Sequence, residues 1–310
     1  GTSILYARTR WTPDAVWFTA FCSPTIDVDH LPPIAGNFLL TRGSDDAIVD
    51  PAPYGSLSSL TSNTPTAEAT GQPDGYVPSQ IFWSVDTGFR WKQVLADGAL
   101  LARCDYADQY RFREERSPIP LAVRDFVLLP WRGADQRDAA ILLVLDRART
   151  AQEAHALHLR FRSAAQLALD DGVVGATIGA TRLGLRRLAA SGGDDEVRRL
   201  PRGDCFSDRY TRGNCDASRF VASELRLQVP GPTPSAAFAI EVAAAKGAAG
   251  APPTALPSEG GQAWLIERGT SRWVVRTKAP TNSSPMRLRR RTGVRVVPAS
   301  SRVMVMSGVL

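Results

Sequence analysis

The chain has 310 residues, of which 44% are hydrophobic and 22% charged, and its formal net charge is +6. This composition excludes disordered, fibrous and collagen-like proteins and is sufficient for a sizeable hydrophobic core. No run approaches the ~20 apolar residues of a transmembrane helix, so no membrane span is expected.

Almost all of the positive charge is arginine, because Lys92, Lys246 and Lys278 are the only lysines. Guanidinium groups suit carboxylates and sulfates, which favours an acidic polymer as a partner. A GC-rich genome that encodes arginine in place of lysine is the alternative explanation. The arginines are dispersed, and no zinc-finger spacing, recognition helix or RNP-type strand occurs, so nucleic acid is not an expected partner.

Period-two alternation recurs along most of the chain and predicts many short strands separated by Gly, Pro, Asp and Ser turns. The predicted strands are 15–21, 37–42, 47–50, 89–95, 99–106, 122–129, 139–146, 154–162, 173–178, 181–188, 220–229, 236–243, 262–268, 272–277, 286–291 and 302–309. This pattern predicts an all-β fold, a large antiparallel β-sandwich (supersandwich) with few or no helices.

We expect residues 1–310 to form a single large sandwich domain, with a smaller C-terminal β subregion from about 245–310 as a variant of this organisation. Two alanine-rich segments, 164–168 and 237–249, tempt a helical interpretation, but we predict strand or loop for both. Residues 51–78 and 247–260 have no strand pattern. Loops of that length are usually functional, so we expect the first of them to form the wall of a site.

Four cysteines are present. Cys205 and Cys215 enclose a polar loop with no apolar periodicity, which a local disulfide would hold together. Cys22 and Cys104 each lie beside a predicted strand, and they either pair across the sandwich or stay buried as free thiols. An even count fits an oxidising compartment.

The order of several short motifs resembles the C-terminal β-sandwich of heparinase II/III-like polysaccharide lyases. The resemblance covers roughly the first half of the chain. The residues that carry it are Ala15 to Phe18, Asp29-His30, Ala35-Gly36-Asn37-Phe38, Val49-Asp50-Pro51, Leu145-Asp146-Arg147 and Leu157-His158.

This resemblance implies a protein that joins an α/α toroid to the sandwich and cleaves acidic polysaccharide by β-elimination. In the family, a Tyr and a His of the toroid transfer most of the protons, and the toroid is absent from these 310 residues. We therefore expect the chain to be catalytically silent alone, with an acidic polysaccharide, a toroid fragment or a second copy of itself as partners. A secreted, periplasmic or cell-surface location is also implied.

The family's sandwich often holds zinc, but this chain departs from the motif at two positions. Pro32 and Ile34 replace the second His and the Asp, and neither can ligate zinc. His30 and Asp50 alone make half a site, so Asp50 is only a remnant candidate for metal binding. We expect no cofactor.

Four residues are candidates for contact with a sugar polymer. His30 is the catalytic candidate, as a group that neutralises a carboxylate or transfers a proton; pairing with Asp29 is the alternative. Asn37, Arg42 and Tyr54 are candidate substrate contacts, with a turn residue, a surface arginine and a packed loop anchor as the respective alternatives.

Trp83, Trp91 and Trp131 are typical either of sugar-stacking platforms or of the core between two sheets. The alternative function is a non-catalytic structural, adhesive or carbohydrate-binding surface module whose lyase site is degenerate. The replaced motif residues Pro32 and Ile34 favour this alternative.

Overall fold

The computed structural model describes residues 4–24, 33–50, 59–72, 78–80, 84–111, 116–133, 135–150, 152–200, 221–246, 250–258, 261–278 and 295–298. Across these residues the regular structure is nearly all β, with two short 3₁₀ helices, Ser59–Thr61 and Ala107–Tyr110. Within the same ranges, no helix has the length and apolar character needed to cross a membrane. The prediction of an all-β antiparallel sandwich is confirmed.

Eight antiparallel strands form the central sheet. They are β6 (Gly88–Val94), β7 (Leu100–Asp105), β8 (Leu121–Arg132), β9 (Asp138–Arg149), β11 (Ala168–Asp170), β12 (Val173–Ile178), β13 (Thr181–Ala190) and β16 (Ser235–Ala244). Their order across the sheet is β11-β12-β13-β16-β9-β8-β7-β6. Strand β16 thus returns late in the chain to lie between β13 and β9.

Three four-stranded antiparallel sheets surround the central one. The N-terminal sheet contains, in spatial order, β1 (Ile4–Arg8), β2 (Val16–Phe21), β3 (Phe38–Arg42) and β4 (Asp45–Ile48). The β10 sheet contains β14 (Asp195–Arg199), β15 (Ser223–Pro230), β10 (Ala156–Ser163) and β5 (Thr66–Ala67). The C-terminal sheet contains β17 (Thr254–Leu256), β18 (Gly261–Arg268), β19 (Ser271–Lys278) and β20 (Arg295–Pro298).

The central sheet is buried on both faces, because alternate residues of its strands enter two different cores. In β9, Leu142 and Val144 enter a first core that is shared with the N-terminal and β10 sheets. Ile141 and Leu143 point the other way, into a second core that includes Trp264 of the C-terminal sheet. The fold therefore has three β layers, which explains why β9 is a nearly continuous apolar run.

The N-terminal sheet and the β10 sheet lie side by side in one layer. The backbone N–H of Val49, just after β4, donates to the carbonyl of Arg162 in β10 at 3.0 Å. Both sheets turn their apolar residues toward the first core. Their other faces therefore point outward in the same direction, and we call these the outer faces.

Strands β2, β3, β6 to β10, β12, β13, β15, β16, β18 and β19 overlap the predictions, including the alanine-rich β16. Strand β4 begins at Asp45, earlier than predicted, because Gly43 with φ of +58° and Ser44 suffice for the hairpin turn. Strands β1, β5, β11, β14, β17 and β20 were not expected. The prediction that 247–260 lacks strands is wrong for β17, and predicted strands 286–291 and 302–309 lie outside the described residues.

Candidate functional site: an arginine-rich sheet face beside a buried polar corner

The motif Ala35-Gly36-Asn37-Phe38 turns the chain into β3. Gly36 has φ of +87°, which L side chains rarely adopt. A Cβ at this position would also lie 2.9 Å from two ring carbons of Pro65. Backbone conformation and packing both require glycine here.

Asn37 is fully buried and serves the scaffold. Its Nδ2 donates to Asp50 Oδ2 at 2.5 Å, and its Oδ1 accepts from the backbone N–H of Asn63 at 3.1 Å. The Asn63 side chain then donates to the carbonyls of Phe38 and Val49, at 3.1 and 2.8 Å. This network, the buried polar corner, ties the loop before β5 to strands β3 and β4.

Arg124 connects the buried polar corner to the central sheet. Its guanidinium makes two hydrogen bonds to Asp146, at 2.7 and 2.9 Å, and both side chains are fully buried. It also donates to the carbonyls of Gly36 and Asn63, at 2.9 and 2.7 Å. Burial raises the pKa of Asp146, and the Arg124 charge opposes this rise. The pair fixes the corner at the interface between two layers.

Arg42, a predicted substrate contact, is also buried. Its Nε donates to the carbonyl of Asp138 at 2.7 Å, and its Nη2 lies 3.6 Å from Asp14. The alternative expectation, an arginine at the surface, is also wrong, because Arg42 is buried. Neither Arg42 nor Asn37 can reach a substrate in this arrangement.

The described residues contain no group of three or more His, Cys, Asp or Glu side chains that could hold a metal ion. His155 and His158 have separate surroundings: His155 Nδ1 lies 3.1 Å from the carbonyl of Thr150, and His158 Nε2 lies 2.8 Å from Glu68 Oε1. Several residues named from the sequence lie outside the described ranges: Asp29, His30, Pro32, Pro51, Tyr54, Trp83, Cys205 and Cys215.

Cys22 and Cys104 form a disulfide with a Cα–Cα distance of 5.6 Å. Of the two alternatives left open by the sequence, the structure has the pair across the sandwich. The bond joins the chain after β2 to β7 of the central sheet. It closes a loop across a sequence separation of 82 residues, which restricts the unfolded chain strongly.

Four arginines point outward from the β10 sheet, and we call them the arginine cluster: Arg160, Arg162, Arg198 and Arg226. The strand register explains their grouping, since Arg160 lies opposite Arg226, and Arg162 lies opposite Glu224, which lies opposite Arg198. Arg198 and Arg226 have side chains 38% exposed. Arg160 and Arg162 are buried, with 6% and 0% exposure.

Glu224 is the carboxylate at the centre of the arginine cluster. It is fully buried and forms ion pairs with Arg162 at 3.1 Å, with Arg198 at 3.6 Å and with Arg226. Burial alone would raise the pKa of Glu224, but the surrounding arginines, Arg162 first, leave it below its usual value. One carboxylate therefore serves three guanidinium groups.

Arg160 differs from its neighbours because no carboxylate lies within ion-pair distance of it in the part of the chain that the structure describes. Its one hydrogen bond there goes to Thr66 Oγ1 at 3.2 Å. Burial, followed by repulsion from Arg162, lowers the pKa of Arg160 to about 9. Arg160 thus has the least direct neutralisation of the four arginines, whereas Glu196 lies 3.9 Å from Arg198 and Glu68 lies 2.8 Å from His158 on the same face.

No protein-family model matches the chain. A search of curated proteins likewise finds no similar sequence. The resemblance to heparinase II/III-like lyases therefore remains a hypothesis that depends on the motifs named above. A fold alone does not determine a function, which depends on the geometry and chemistry of the site.

The sequence contains a pattern of alternating charged residues at the arginine cluster. In His158-Leu-Arg160-Phe-Arg162 and Glu224-Leu-Arg226, charged residues alternate with apolar ones. By itself this alternation predicts only a strand with a polar outer face, the ordinary place of arginine. That strands β10 and β15 pair and place these charges together depends on contacts distant in sequence.

Two of the three tryptophans named from the sequence lie in the described residues. Trp91 and Trp131 pack against the second core, which is the packing role left open by the sequence. Trp11 and Trp17 were not singled out, yet both are exposed.

Proposed function

We propose that this chain is the sandwich portion of a secreted heparinase II/III-like protein and that it binds acidic polysaccharide at the arginine cluster. The observation that carries the proposal is the grouping of four guanidinium groups on one sheet face, three of which pair with the buried carboxylate of Glu224. Arginine's planar array of donors matches carboxylates and sulfates, the charged groups of such polymers.

The four arginines differ in burial and would therefore contribute to binding in two different ways. Arg198 and Arg226 are accessible and can donate directly to a ligand anion. Arg160 and Arg162 are buried, so water and salt screen their charges much less. A bound anion would reduce the repulsion between the four arginines. The contribution of the exposed Arg198 and Arg226 should weaken as ionic strength rises.

The disulfide supports the secreted location. Structural disulfides form and persist in oxidising compartments and are rare in the cytosol. Cys22 and Cys104 are both buried, and their bond joins two layers of the sandwich. The protein is therefore suited to the extracellular or periplasmic setting in which acidic polysaccharides occur.

Binding to heparin, chondroitin sulfate, hyaluronan and alginate tests the proposal, with isothermal titration calorimetry at low and high salt as the measurement. Removing both accessible charges, in Arg198→Gln/Arg226→Gln, should weaken binding roughly tenfold, since exposed ionic contacts contribute about 0.2–1 kcal/mol each. Arg272→Gln is the matched control, an exposed arginine of the C-terminal sheet that pairs with Glu267 at 3.1 Å. Equal affinity of the double variant and the control would refute the proposed site.

Catalysis is tested in the same samples by absorbance of the unsaturated sugar that β-elimination produces. We expect binding without product from this chain alone, because the elimination needs both a base and an acid. Sustained turnover would show instead that the chain is a complete lyase.

A further inference from the structure

The outer face of the N-terminal sheet carries exposed aromatic rings. Leu5 and Ala7 of β1 pack against the first core, so Tyr6 and Arg8 point outward. Arg8 lies directly opposite Trp17 of β2. Tyr6 is 66% exposed and Trp17 41% exposed. The solvent-facing side of this sheet therefore exposes large aromatic side chains, while its other side is buried in the first core.

Trp11 extends this surface from the turn between β1 and β2, and it is 89% exposed. The turn is firmly held. Thr9 Oγ1 and Thr12 Oγ1 both donate to Asp138 Oδ2 at 3.0 Å, and Arg10 lies 3.4 Å from the same carboxylate. An exposed ring on a fixed turn loses little conformational entropy when a ligand covers it.

Arg8 lies against both tryptophans. Its guanidinium carbon is 4.7 Å from the centre of the Trp17 ring, and it contacts the Trp11 ring as well. In the described ranges no carboxylate pairs with Arg8, and its Nη2 is buried without a hydrogen-bond acceptor. We call Tyr6, Arg8, Trp11 and Trp17 the aromatic face.

The chemistry of this face fits a sugar better than a protein partner. A pyranose ring presents C–H groups on its flat side and hydroxyl or carboxylate groups at its edge. Tryptophan and tyrosine offer flat apolar rings with a polar edge, and Arg8 supplies donors between them. Exposed apolar surface of this kind marks an interaction site.

We propose that the aromatic face is a second binding surface for the acidic polysaccharide, on which sugar rings stack against Trp11 and Trp17 while Arg8 binds a carboxylate. This inference rests on the proposed function and extends it. Because the N-terminal and β10 sheets share one layer, the aromatic face and the arginine cluster look outward in the same direction. From β2 across β3 and β4 to β10 is about 15 Å at normal strand spacing, so one polymer chain can contact both.

Titration calorimetry of Trp11→Ala and Trp17→Ala with alginate and with hyaluronan tests the inference. Each variant should bind roughly three- to tenfold more weakly, the usual contribution of one aromatic contact. The loss should persist at high salt, where the exposed Arg198 and Arg226 contribute little. Val94→Ala and Leu169→Ala, exposed apolar residues at opposite edges of the central sheet, are matched controls and should bind as wild type. Trp17→Phe should retain most of the affinity.

The possible failures are distinguishable. If no polysaccharide binds the wild-type chain, the proposed function and the aromatic face fail together. If polysaccharide binds and both tryptophan variants match the controls at every salt concentration, only the aromatic face is refuted. Sedimentation velocity tests whether a second copy of the chain occupies this face instead. A wild-type oligomer that becomes monomeric in Trp11→Ala would assign the face to self-association and overturn the inference.

Discussion

Replacing Arg160 by methionine should make the protein more stable and less able to bind polyanions. Burial and repulsion from Arg162 both disfavour the charged form of Arg160 and lower its pKa to about 9. Relative to an exposed arginine, this corresponds to a destabilisation of the folded state by about 5 kcal/mol. Methionine has a similar volume and carries no charge. It forfeits the hydrogen bond to Thr66, which contributes about 1 kcal/mol.

The net expectation is a stabilisation of about 1–4 kcal/mol, in the range observed when buried charges are replaced by well-packed apolar residues. For a chain of 310 residues this corresponds to about 2–6 °C in Tm, since the unfolding entropy scales with length. Scanning calorimetry and urea unfolding of Arg160→Met measure it directly. The same variant should bind heparin more weakly, because a poorly screened charge behind Arg226 is lost.

Arg162→Met is the matched control, since Arg162 lies two residues along the same strand and faces the same side. It pairs with Glu224 at 3.1 Å and donates to the carbonyls of Ser62 and Leu60, both at 2.5 Å. Its loss should destabilise the protein by about 3–5 kcal/mol. If Arg160→Met is destabilised to a similar extent, the Arg160 charge is neutralised by a carboxylate. The inference that Arg160 is buried without an ion-pair partner is then refuted.

Three further outcomes are expected. The double variant Cys22→Ala/Cys104→Ala should lose about 2–5 kcal/mol in urea unfolding, and an unchanged midpoint would show that the disulfide does not restrict the unfolded chain. Arg124→Met should cost about 3–5 kcal/mol because Asp146 is left buried without its partner, whereas the double variant Arg124→Met/Asp146→Leu should recover much of this loss. Burial, then Arg160, lowers the pKa of His158, so the unfolded chain takes up this proton first as the pH falls through about 6.5, and stability declines below that pH. His158→Gln should flatten the pH dependence of Tm between pH 7 and 5, and an equal slope in both proteins would contradict this.

The sequence predicted the central sheet well because its strands carry their own signal. Strand β9 contains the apolar run Ala139 to Leu145. A continuous apolar run of this kind is typical of a strand that is buried on both faces of its sheet. Most of the strands it missed are short or charged, such as β5 with two residues and β14 with the sequence Asp-Glu-Val-Arg-Arg, although β1 is neither. These edge strands form because a neighbouring strand offers hydrogen bonds, which leaves little trace in their own residues.

Of the site, the sequence predicted local conformation but not burial. Gly36 was recognisable because a positive φ is a property of one residue. Arg42 and Asn37 were expected to meet a substrate, yet both are buried through contacts with Asp138 and Asp50. Those partners are distant in space until the layers pack, and no local pattern encodes them. The roles of His30 and Tyr54 remain predictions.

The late return of β16 has a consequence for how the protein can be made. Until residues 235–244 arrive, β9 is the open edge of a four-stranded sheet β6 to β9, with an apolar run and unpaired backbone groups. Open edges of this kind recruit strands from other chains. Fragments truncated before Ser235 should therefore aggregate during expression, and a useful truncation must keep β16 with the strands that precede it.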